Sequence, residues 1–242
     1  MKNKESIFFQ NLKIILGEKF IKAKILSKPV KKEDVFLDKN YIKYQFNYDI
    51  NKIFVLALNE LLCNESIPDG SLSHYVDGLI YNHPIFGKRI IEFDEEQHFN
   101  PFRKETLKYL SDSVLYKKVY SEHCNDLTCF HRMLCKIRIK YFPNYIPQNT
   151  VIFQDFIEKN KMNENGYINK TNGFKFCGGR IAQRAYYDLL RDYAHLAKQN
   201  NDLSPTLRFS LFEIESTYCK SFNNIKDSEI QEFIITSLNL LK

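Results

Sequence analysis

Apolar residues follow two rhythms along this chain. Ile7, Phe8, Leu12, Ile15, Leu16, Phe20 and Ile21 fall near helical spacing and predict a helix within residues 1–27, with Gly17 as a break. Residues 41–46 alternate like a strand. Phe54, Val55, Leu58, Leu61 and Leu62 predict a helix over 51–63, and Pro68-Asp69-Gly70 a turn after it. Two short runs then alternate with period two, residues 74–81 and 88–94. Asn82-His83-Pro84 and Gly87 supply turn chemistry between them, so a hairpin is expected. Residues 102–110 read as a short helix, 114–122 fit either type, and 146–177 are loop-rich. A helix follows over 181–199, marked by Ala182, Ala185, Tyr186, Leu189, Leu190, Tyr193 and Leu196. Asn201-Asp202 and Ser204-Pro205 turn into a strand over 206–215, and 229–241 close as an amphipathic helix. This order gives an α/β fold, a small mixed sheet flanked by helices. One domain spans 1–242: a helical start (1–50), a core at about 51–99 and 178–216, an insertion at about 100–177, and the last helix.

The hairpin carries acids where a strand should be apolar. Asp77 sits among Val76, Leu79 and Ile80, and Glu92 and Asp94 flank Phe93 directly after Ile90 and Ile91. Side chains alternate across a strand, so Glu92 and Asp94 share one face while Ile91 and Phe93 share the other. Pairing of the runs brings Asp77 beside them. Three carboxylates that close repel one another, and burial raises their pKa values. A hard divalent cation relieves this, and an all-oxygen set suits Mg²⁺ or Mn²⁺. His98, four residues after Asp94, has the chemistry of a general base. The alternative is a hairpin whose acids are simply solvated.

An Asp on one strand, then Glu92-Phe93-Asp94-Glu95-Glu96-Gln97-His98 on the next, resembles the PD-(D/E)XK nuclease superfamily. The closest variant has a second motif E-x-D-G-x-x-H, found among small restriction-like endonucleases related to very-short-patch-repair enzymes. Glu95 stands where that motif has Gly, and Asp94 where the commoner E-x-K motif has lysine. The resemblance implies a restriction-endonuclease-like core and a metal-dependent deoxyribonuclease, most simply a type II restriction enzyme cutting double-stranded DNA. It assigns the metal to Asp77, Glu92 and Asp94. His98, assisted by Gln97, would handle the water, and Glu60, on the preceding helix, would reach the metal's water shell. A homodimer is expected from the symmetry of palindromic sites. A nicking or repair endonuclease, or an inactive DNA-binding protein on the same fold, are the alternatives.

Composition adjusts this picture little. The net charge of +6, from 35 basic against 29 acidic residues, permits a polyanionic partner. Arg132, Lys136 and Arg138 give one predicted helix a basic face beside Tyr141, Phe142 and Tyr145, which suits DNA contact or a solvated face. Gly178-Gly179-Arg180 before a helix, with Arg184, could meet a phosphate. His123, Cys124, Cys129, His131 and Cys135 have zinc-ligand chemistry, but their spacing matches no common zinc module. No P-loop or G-x-S-x-G elbow occurs, which excludes the usual NTPase and acyl-transfer motifs. The start lacks a signal-peptide pattern and no apolar run would span a bilayer, so a cytoplasmic protein with its six Cys reduced is expected.

Overall fold

The computed structural model describes residues 3–23, 46–61, 63, 76–126, 174, 179–198 and 200–240, without the side chains of 179 and 180. These residues gather into two compact units, one within 1–37, 73–94 and 191–242 and the other within 38–72 and 95–190.

The first unit is built on a mixed four-stranded sheet in the order β1 (Ile21–Ala23), β2 (Gly78–His83), β3 (Gly87–Asp94), β4 (Leu203–Ser210). β2 runs antiparallel to both β1 and β3, and β4 runs parallel to β3. A parallel pair cannot be closed by a tight turn and needs a long crossover. Over a hundred residues separate these two strands in the chain.

One face of the sheet is the main core. Helix α1 (Lys4–Leu16) brings Phe8, Phe9, Leu12 and Leu16 against Ile80, Ile91, Phe93, Leu207 and Phe209. Phe8 stacks on Phe93 with ring centroids 4.7 Å apart and lies 4.9 Å from Phe209. Each phenylalanine fully buried in this way contributes roughly 1.5–3 kcal/mol. The late helices α6 (Leu211–Tyr218) and α7 (Asp227–Asn239) add Leu211, Ile214, Ile230, Phe233, Ile234 and Leu238. Asn11 is buried between α1 and α7 with its amide satisfied. It donates to Asp227 at 3.1 Å and accepts from Gln231 at 2.8 Å.

The other face carries a smaller apolar cluster of Val76, Leu79, Ile90, Ala194 and Leu203. Beyond it this face turns polar. Period-two alternation puts Glu92 and Asp94 there from β3, and Thr206, Arg208 and Ser210 from β4, all buried.

The second unit is helical where described: α2 (Tyr48–Glu60), α3 (Pro101–Leu107), α4 (Tyr116–Asn125) and most of α5 (Gly179–Asp192). Phe54 meets Phe46 at 4.9 Å and Tyr186 at 6.3 Å, and Phe99 meets Tyr120 at 5.0 Å. Asn47 and Asn100 cap the N-termini of α2 and α3, accepting from Ile50 and Arg103 N–H groups at 2.9 Å each. None of the described helices is long and apolar enough to cross a membrane.

Several boundaries differ from the sequence reading for local reasons. The first helix ends at Leu16, because Gly17 takes φ +90° and breaks the ladder, and Ile21 then enters a strand. The α2 helix runs Tyr48–Glu60 rather than over 51–63, starting from its Asn47 cap. The first hairpin strand begins at Gly78, not residue 74. It ends past Asn82, which sits at φ 50° beside a register shift. The stretch 114–122, which fits either type in sequence, is helical from Tyr116, and the helix runs on to Asn125. The long helix predicted over 181–199 stops at Asp192 and gives way to a short 3₁₀ turn, Ala194–Leu196. Leu203 already lies in β4. Pro205 is tolerated there at a second register shift, its carbonyl accepting from Arg89 at 3.3 Å. That strand stops at Ser210 and not at residue 215, because the Ser210 hydroxyl caps α6 by accepting from Glu213 N–H at 3.2 Å.

Gly78 marks a close approach. A Cβ there would lie 2.4 Å from Cε1 of Phe9, a ring with no exposure. We expect Gly78→Ala to destabilise the protein by about 1–3 kcal/mol, as overpacked cores do. Urea unfolding measures this directly, and a change within 0.5 kcal/mol would show that the ring gives way freely.

Candidate metal centre

The acidic site starts at the mouth of the hairpin. Gly78 pairs with Ile91, so Asp77, one residue earlier, comes beside Glu92. Two hydrogen bonds close the contact. The Asp77 N–H donates to Glu92 Oε1 at 3.3 Å, and the Phe93 N–H donates to Asp77 Oδ2 at 3.1 Å. With Ile91 and Phe93 committed to the aromatic core, Glu92 and Asp94 are held on the opposite face. Asp77 remains half-buried, while Glu92 and Asp94 are buried.

Two arginines answer these acids. Arg208 stands opposite Glu92 on β4. Its Nη1 donates to both Asp94 oxygens, at 2.9 and 2.7 Å, and its Nε donates to Asp192 Oδ1 at 2.6 Å. These three side chains are almost wholly shielded from water. The Nε of Arg191, at the end of α5, lies 3.5 Å from Glu92 Oε1. Its backbone is pinned by Thr206, whose hydroxyl donates to the Arg191 carbonyl at 2.6 Å.

Among the described residues, four carboxylates (Asp77, Glu92, Asp94, Asp192) gather here with two guanidiniums. Glu92 bears the strain. Burial pushes its pKa from 4.5 up to about 8. The Arg191 guanidinium pulls it back, Asp77 raises it again, Arg208 lowers it and Asp94 raises it. A neutral Glu92 or a bound cation relieves the same repulsion.

Asp77 and Glu92 carry the carboxylate oxygens that hard cations take, the first half-buried and the second buried. Asp94 belongs to the cluster, but both its oxygens accept from Arg208.

The remaining expected residues are placed as follows. His98 closes a short 3₁₀ turn, Glu96–His98, in the second unit, and its Nδ1 lies 2.8 Å from Asp188 Oδ2. Gln97 is half-buried, and its carbonyl accepts from Asn100 at 3.1 Å. Glu60 is exposed at the end of α2 and bonds the Tyr109 hydroxyl. Burial first, and Glu60 second, push that phenol up to about 12. Arg184 is half-buried on α5, and the Arg180 side chain, like Arg132, Lys136 and Arg138, lies outside the described residues. Of the zinc-type cluster, Cys124 is buried and His123 stands edge-on to Phe99 at 5.4 Å. Cys129, His131 and Cys135 lie outside the described residues. His83 serves the hairpin turn, its Nδ1 accepting from the Ile85 and Phe86 N–H groups at 3.2 and 3.3 Å.

Asp188, Arg191, Asp192 and Arg208 are buried charged residues to which the sequence reading gave no role. A signal existed for one of them. Arg208 alternates with Leu207 and Phe209 as Glu92 does with Ile91 and Phe93, so a lone charge in an apolar strand pointed to the same face. Along α5, Arg184, Asp188 and Arg191 recur at i, i+4 and i+7, a polar stripe that sequence alone cannot tell from a solvated one. No protein-family model, no curated protein and no solved structure matches this chain.

Proposed function

We propose that this chain is a metal-dependent DNA endonuclease of the PD-(D/E)XK type, most simply a type II restriction enzyme. The observation that carries the proposal is the Asp77–Glu92 pair. One carboxylate just before β2 and one on β3 are held side by side by the Asp77 N–H donating to Glu92 and the Phe93 N–H donating to Asp77, and Glu92 is buried enough to resist ionisation without a cation. The order of elements supports the reading. An acidic hairpin is followed, after a helix, by a strand parallel to β3, the sequence of elements that this superfamily's core requires.

In this reading Asp77 and Glu92 hold Mg²⁺ or Mn²⁺. When bound, the ion lowers the pKa of a water and offsets charge on the scissile phosphate. Arg191 keeps Glu92 oriented and supplies positive charge where the E-x-K pattern would have put a lysine. Arg208 fixes Asp94 and so sets the end of β3. Double-stranded DNA is the substrate, a homodimer the working form and the cytoplasm the compartment.

The test is cleavage of supercoiled plasmid with Mg²⁺ or Mn²⁺. Wild type is expected to give linear DNA, and Asp77→Ala to lose more than about 100-fold, beyond what loss of an outer-shell partner costs. Nicked circles alone would mark a nicking or repair enzyme. DNA retention without cutting under any metal would leave a binding module on this fold and end the enzymatic reading.

A further inference from the structure

The turn that closes the hairpin is held by a side chain that can titrate. Between β2 and β3 the backbone takes two left-handed residues, Asn82 at φ 50° and Gly87 at φ 63°, and the ladder shifts register between Ile80 and His83. Nδ1 of His83 spans this turn, accepting from the N–H groups of Ile85 and Phe86 at 3.2 and 3.3 Å. Asparagine makes the same kind of bond to the backbone two residues on. The ring is buried against Phe20 and Phe86, each with its centroid 4.9 Å away. A nitrogen that accepts two hydrogen bonds carries no proton, so the imidazole is neutral. Imidazolium donates at both nitrogens and cannot take this place.

We infer that His83 is a pH-sensitive latch: neutral, it closes the β2–β3 turn through two backbone N–H groups, and protonated, it releases both. Burial holds its pKa below the ordinary 6.5, and bonding to the neutral form acts in the same direction. Glu18 and Lys19 lie on the adjoining 3₁₀ turn, Glu18–Phe20, and Lys19 sits over the Phe20 ring at 4.8 Å. On β3, Lys88 pairs with Asp202, and Arg89 donates to the Phe86 and Pro205 carbonyls. Between the closed-turn pKa and 6.5, the open turn binds a proton that the closed turn refuses. The closed turn therefore loses stability as pH falls through that window and keeps it at higher pH. The latch sits at the far end of the hairpin from Asp77 and Glu92 and does not depend on the nuclease reading.

The experiment follows amide exchange in the ¹⁵N-labelled full chain by NMR from about pH 8 to about pH 5, the range in which histidine changes charge. Rates are corrected for the intrinsic pH dependence of exchange. In wild type, protection of the Ile85 and Phe86 amides is expected to hold above pH 6.5 and then fall about tenfold per pH unit until the closed-turn pKa is passed. His83→Asn keeps an acceptor that does not titrate, so the same amides should stay protected at low pH. His83→Leu removes the acceptor and should leave them unprotected throughout. The ring signals that vanish in His83→Asn should show, in wild type at alkaline pH, a bare Nδ1 and a protonated Nε2. A flat wild-type profile, a wild-type ring with Nδ1 protonated, or the same acid-induced loss in His83→Asn overturns the inference, each without recourse to His83→Leu. Full protection in His83→Leu overturns it as well.

Discussion

Replacing Arg208 by methionine is expected to destabilise the protein by about 3–5 kcal/mol, the range seen when one partner of a buried ion pair is removed. The reason lies in what is left behind. Asp94 and Asp192 each lose a charge-assisted bond from the same guanidinium, at 2.7 and 2.6 Å, in a place almost closed to water. Neither acid can be rehydrated without opening the face of the sheet. Urea unfolding at neutral pH measures the loss. Adding Asp94→Leu to Arg208→Met should recover part of it, because one stranded charge is then gone and an apolar side chain tolerates the site. A loss below about 1 kcal/mol, the level of an exposed pair, would mean that water reaches this network.

Glu92→Gln should reverse part of the protein's pH dependence. The Glu92 carboxyl is lifted from 4.5 to about 8, mainly by burial. Between those values the folded protein holds a proton that the unfolded chain releases. Stability from this group therefore falls as pH rises through the window and levels off above about 8. Glutamine mimics the protonated form and removes the dependence. The variant should match wild type near pH 4.5 and exceed it by a few kcal/mol, as an order of magnitude, at pH 8. Parallel stability–pH curves for the two proteins would refute the assignment. Mg²⁺ provides a second arm. Binding must expel the Glu92 proton, so cation affinity should climb with pH toward about 8, with protons released on binding. Cleavage should disappear in the same variant.

Much of the sheet was legible in the sequence because strand alternation is a local rule. The run of Ile90 to Asp94 fixes which side chains share a face whatever else the chain does. The hairpin, the convergence of Asp77 on Glu92, and the closing helix at residues 227–239 follow from that rule and from helical spacing. Element ends were less legible, since a cap and a continuing strand compete over one or two residues. Leu211 to Ile214 look as strand-like as Leu207 to Phe209 until the Ser210 hydroxyl turns back to Glu213.

The sequence by itself determined an α/β chain with an acidic hairpin. Only the tertiary structure decided how those acids are answered: Arg208 taking both oxygens of Asp94, Arg191 beside Glu92, and Asp188 against His98. The first kind of information is periodic and lies within a few residues. The second joins positions some 90 to 115 apart, where no spacing rule operates and a charge on a helix looks the same whether it meets water or a buried partner.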